Sequence, residues 1–157
     1  MRKVWALFAV VPLAGCMGWM PGQQAYWDAQ VKELCEKDGG VTVYERVKLT
    51  QSEYELLGGI YGAISVPSRN VAASSTPYVS DTTITALHDW APEVWRRETL
   101  IVRVADEKVL AKQITYGRRG GDVPVFFIGH PSFYGCSELG IRLDVEKQTF
   151  EVLGSDQ

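Results

Sequence analysis

The chain has 157 residues, 46% of them hydrophobic and 22% charged, with a formal net charge of −3. That balance fits one globular domain and argues against a disordered tail, a collagen-like fibre or a multi-domain enzyme. With 16 basic against 19 acidic residues and no basic block, no nucleic-acid partner is expected.

The N-terminus reads Met1-Arg2-Lys3, followed by an uncharged apolar run that ends at Gly15. A positive start before a short apolar run is the layout of a secretory signal, predicted over residues 1–15. The run falls short of the ~20 apolar residues that span a bilayer, and Pro12 and Gly15 weaken its helical end. Leu13-Ala14-Gly15-Cys16 resembles the bacterial lipobox. That resemblance implies a diacylglyceryl group on the Cys16 sulfur, cleavage just before it and a third acyl chain, such as palmitate, on the freed amine. One chain holds only marginally; two or more hold stably. Met17, not Asp, follows Cys16, which by the same resemblance points to the periplasmic face of the outer membrane. Without Arg2 and Lys3 the balance is 14 basic against 19 acidic residues, or −5. Acyl chains, not a polybasic patch, would therefore hold the protein. Residues 16–22 read as a tether, in which Trp19 either rests at the membrane interface or packs back on the domain. Residues 23–157 read as a single globular periplasmic domain.

Within that domain, Trp27, Val31 and Leu34 recur at helical spacing, with Cys35 beside them. This predicts a helix over 23–37, ended by Asp38-Gly39-Gly40. Strict alternation of Val41, Val43, Val47 and Leu49 predicts one strand over 41–49, with Glu45 breaking its apolar face. Thr50-Gln51-Ser52-Glu53 fits a capping box for a short helix over 51–57. From 64 to 84, Ser, Thr, Pro and Asn dominate, which reads as a long polar loop carrying Tyr78 as a contact residue. Residues 98–105 and 109–116 alternate around Asp106-Glu107-Lys108 and predict a hairpin. A short strand is expected over 125–128 and a turn-rich loop over 129–136. A second hairpin is expected from 140–145 and 149–153, turning at Glu146-Lys147.

With Cys16 acylated, Cys35 and Cys136 remain, and an even pair in an exported protein reads first as a disulfide. It would close a loop of about 100 residues, worth up to about 4.7 kcal/mol on the chain-entropy model. Two sharper readings stay open. Cys35, His88, His130 and Cys136 offer Cys2His2 zinc ligands, though without a close Cys or His pair. Cys136 with His130 as its base would make a nucleophile. His88-Asp89 is weak as an acid–base pair, because sequence neighbours face apart in regular structure. Arg118-Arg119-Gly120-Gly121-Asp122 combines two fork-shaped cations with flexible backbone, which would suit an anion; the alternative is a basic turn paired to nearby acids.

Tyr26-Trp27-Asp28, Val31, Leu34-Cys35, Lys37 to Val41, Arg118 to Asp122 and Cys136 together are similar to small proteobacterial lipoproteins. The resemblance covers most of the mature chain and implies no activity. The expected architecture is α+β: an N-terminal helix packed on a mainly antiparallel sheet of five or six strands. The expected function is that of a lipid-anchored cell-envelope lipoprotein, a non-enzymatic binding or structural protein with an envelope protein as partner and no cofactor. The alternatives are an envelope hydrolase or transferase using Cys136 and His130, or an anion binder through Arg118 and Arg119.

Overall fold

A computed structural model describes residues 23–58, 63–122 and 131–152. Cys16, Trp19, His130 and the strand expected over 125–128 lie outside the described residues.

The chain opens with helix α1, Gln23–Asp38, whose buried stripe of Val31 and Cys35 faces the sheet. Trp27 and Leu34 pack against the same cluster, as the helical spacing required. The helix closes with the Gly39 N–H donating to the Cys35 carbonyl at 2.9 Å. A Cβ at Gly39 would lie 2.6 Å from that oxygen, so only glycine lets the chain turn this tightly.

The next strand differs from expectation. It divides into β1, Gly40–Val43, and β2, Val47–Leu49, which belong to different sheets. The division falls at Glu45, the residue that interrupts the apolar alternation. Its carboxylate accepts from Arg103 at 2.8 Å and from Lys108 at 2.5 Å, so the chain bends to meet two cations instead of continuing straight. Helix α2, Gln51–Leu56, starts with the expected capping box: the Thr50 hydroxyl accepts from the Glu53 N–H, and Glu53 accepts from the Thr50 N–H at 2.9 Å.

The predicted long loop is only partly a loop. From Tyr78 the chain becomes β3, Tyr78–His88. Three β-branched threonines in this stretch, Thr82, Thr83 and Thr85, favour extended backbone. They gave no alternating signal because the strand's second half is exposed on both faces. Tyr78 is not a loop contact residue. It is 6% exposed and its ring packs edge-on against Phe150, centroids 5.0 Å apart. β4, Glu93–Arg103, and β5, Lys108–Arg119, form the expected hairpin, longer at its open end than the alternation suggested.

β6, Phe133–Gly135, leads into a 3-10 turn at Cys136–Leu139. The predicted C-terminal hairpin is absent. Glu146 and Lys147 lie inside a short helix, α3, Val145–Thr149, where the Thr149 hydroxyl donates to the Val145 carbonyl at 2.6 Å. β7, Phe150–Val152, then pairs in parallel with β2. Ile141, Leu143 and Val145 alternate like a strand for another reason. The first two pack against the α1 cluster, while Val145 enters a second cluster with Leu49 and Phe150.

The fold is therefore α+β, as expected. The main sheet runs β1-β5-β4-β3, with β6 also on β5, and every pairing in it is antiparallel. β1 covers Ala111–Ile114 of β5 and β6 covers its far end at Gly117–Arg119, so the two share one edge of that strand. β3 forms the opposite edge.

Candidate functional site

The disulfide is present. Cys35 on α1 and Cys136 at the start of the 3-10 turn are bonded, with Cα atoms 5.4 Å apart. Both are buried, and Cys136 Sγ accepts the Tyr116 N–H at 3.2 Å. The bridge staples α1 across β5, where Val31, Val94, Ile114 and Tyr116 complete the packing. In this oxidised form Cys136 has no thiolate, so it offers no nucleophile and no metal ligand. Among the described residues no group of three His, Cys, Asp or Glu side chains stands together as a metal site.

Arg118 and Arg119 are adjacent on β5, and adjacent strand residues point to opposite faces. They are therefore not brought together around one anion. Arg118 turns toward α1 and is 1% exposed. Its Nε donates to Asp28 Oδ1, and its Nη1 donates to the Gly120 carbonyl and, at 3.0 Å, to Ser132 Oγ. Ser132 also accepts from Gln24 Nε2 at 3.2 Å and donates its N–H to Asp122 at 2.7 Å. The Ser132 hydroxyl and N–H together hold the Asp122 carboxyl below the usual carboxylate range. This network ties the first turns of α1 to the 118–122 turn, and Arg118 is its central cation. Arg119 stays in solvent and pairs with Glu93 at 2.8 Å.

His88 is likewise held by structure. Its Nδ1 lies 2.7 Å from the Pro92 carbonyl, which can only accept, so Nδ1 carries the proton. The ring sits 4.5 Å from that of Trp27. Asp89 is exposed beside it.

Two further surfaces carry exposed groups among the described residues. On the sheet face away from α1, Trp95 lies across β5 to meet Phe133, ring centroids 6.0 Å apart. Gly117 makes this possible, since a Cβ there would sit 2.7 Å from Trp95 Cζ2. Phe133 itself is 55% exposed.

The second surface is the outer edge of β3. At Ser80 this edge is occupied: Ser80 N–H donates to the Pro67 carbonyl at 2.8 Å, and the Arg69 N–H donates to the Ser80 carbonyl at 3.1 Å. Arg69 then clamps Asp81 at 2.9 Å and Glu107 at 3.0 Å. Beyond Ser80, every second residue points its N–H and C=O the same way. That outward row is Thr82, Ile84 and Ala86, and it has no partner strand among the described residues. Residues 82–87 are uncharged and all exposed. Sequence reasoning missed this edge, although the run Thr82-Thr83-Ile84-Thr85 carries a β-branched signal that compositional polarity masked. Compared with known proteins, the chain matches no protein-family model, no curated protein and no solved structure.

Proposed function

We propose that this protein is an exported lipoprotein of the bacterial cell envelope. Acyl chains at Cys16 hold it at the periplasmic face of the outer membrane, and it acts as a binding or structural protein without catalysis. The observation that carries this reading is the buried Cys35–Cys136 bridge. Such bonds persist in oxidising compartments outside the cytosol, and export through a lipobox-bearing signal supplies that environment. No helix among the described residues is long and apolar enough to cross a membrane.

A second feature supports membrane attachment. The first turns of α1 lie beside the 88–93 turn and the start of β6, through Trp27 against His88 and Gln24 bonded to Ser132. Tyr26, Trp90 and Phe133 are exposed there, Trp90 by 76%. Amphipathic aromatics favour the headgroup layer, and six tether residues reach at most ~20 Å beyond Cys16. In this reading the β3 edge is the binding surface.

The test is the intact mass of the full chain extracted from membranes, with Cys16→Ser as control. The expected species lacks the first fifteen residues, carries acyl groups and contains no free thiol. A water-soluble product without acyl groups overturns the proposal.

A further inference from the structure

Natural sheets blunt exposed edges with charges, prolines, bulges or covering segments. Among the described residues those devices stand at the two ends of the β3 edge and nowhere between. The 67–69 segment closes it at Ser80, and a register shift between Ala86 and His88 closes it at the other end. The window between them holds three outward residues, Thr82, Ile84 and Ala86, with Ile84 at its centre and 59% exposed. A row of alternating donors and acceptors in extended backbone is matched by another extended strand.

We propose that a second copy of this chain fills the window, antiparallel, about a twofold axis through Ile84. In antiparallel pairs, outward residues exchange hydrogen bonds only with outward residues. The axis through Ile84 therefore sets it against Ile84 of the partner subunit, and Thr82 against Ala86 of the partner subunit, which satisfies the whole row. A slip of two residues in either direction fails. One direction drives Ser80, already bonded to the 67–69 segment, against the incoming strand, and the other runs into the bulge. Charge does not oppose self-pairing. No charged residue lies in the window, and Asp81 at its border is neutralised by Arg69, so identical strands meet without repulsion. The interface is isologous and uses both β3 edges, so it closes at two copies rather than growing into a fibre.

This assignment deepens the reading of the edge as a binding surface and does not depend on acylation of Cys16. Sedimentation of the full chain in detergent, across a wide concentration range, tests it. The wild type is expected to dimerise, and Ile84→Lys, which places two ammonium groups across the axis, to weaken the dimer at least tenfold. The register is tested by paired changes. Thr82→Lys with Ala86→Lys sets like charges against each other and is expected to abolish dimerisation. Thr82→Glu with Ala86→Lys sets opposite charges face to face and is expected to retain it. All these positions are exposed, and unchanged melting temperatures in the monomer show that folding is intact. A wild type that stays monomeric throughout, a dimer indifferent to Ile84→Lys, or two double variants that behave alike would each overturn the proposal. The mass measurement on Cys16 is unaffected by any of these results.

Discussion

Arg118 donates to Asp28 across the junction between β5 and the first turns of α1, and the cation is buried while the carboxylate keeps a view of solvent. A guanidinium taken out of water is tolerated only while its donors are met. Asp28, the Gly120 carbonyl and Ser132 meet them here. The pair therefore links the helix that carries Cys35 to the turn that precedes β6.

Asp28→Ala should accordingly cost about 3 kcal/mol, because it leaves the buried cation without its counter-ion. Arg118→Met combined with Asp28→Leu should recover most of that loss, since apolar replacement of both partners removes the desolvation penalty as well. Urea denaturation of the wild type, the single variant and the double variant measures both effects. A single variant as stable as the wild type would show that Gly120 and Ser132 suffice for the cation.

The disulfide makes a separate prediction. Replacing Cys35 and Cys136 together by Ala frees a loop of 101 residues in the unfolded chain. The expected loss is about 2–5 kcal/mol, mainly through the unfolded state. Because α1 packs over β5 through Val31 and Trp27 as well, the variant should still fold, with a lower melting temperature. Far-ultraviolet circular dichroism during heating reads this directly.

How much of this was legible beforehand depends on whether one residue answers to one environment. Val31 and Cys35 face a single core, so helical spacing revealed α1. Thr50 and Glu53 satisfy each other locally, so four residues sufficed for the cap of α2. The outcome differs where neighbours serve different environments. Glu45 answers to Arg103 and Lys108, distant in sequence, and the strand breaks there. Ile141, Leu143 and Val145 alternate, yet they feed two separate clusters, and the backbone between them is not a strand. β3 is exposed on both faces along its second half, so no periodicity could mark it. The same cause concealed the candidate binding edge: its chemistry resides in backbone groups, which every residue carries alike.

Gly117→Ala tests the outer face. The added methyl would fall 2.7 Å from Trp95 and 3.1 Å from Phe133. The two rings rest on each other across β5, so Trp95 must shift to admit the methyl. The expected cost is about 1–3 kcal/mol from overpacking, with a change in tryptophan emission as Trp95 is lifted into solvent. Unchanged emission and stability would mean that the two rings slide apart without loss.

The turn end of the main sheet should respond to acid. Lys108 and then Arg103 hold the Glu45 carboxyl below its ordinary range, and Arg103 does the same to Asp106. For a carboxyl lowered by folding, the contribution to stability is complete above the unfolded value of about 4. It is lost as pH falls through the lower folded value, because protonation then removes the pairs that hold β1 and the β4–β5 turn together. Urea midpoints should therefore hold steady from neutral pH down to about 5 and fall below about 4. Glu45→Gln should be less stable at neutral pH and should show a shallower acid decline, having no charge there to lose. Added salt should narrow the difference at neutral pH, since Glu45 and its partners are in contact with solvent. Parallel pH curves for the two proteins would place the acid-sensitive groups elsewhere in the fold.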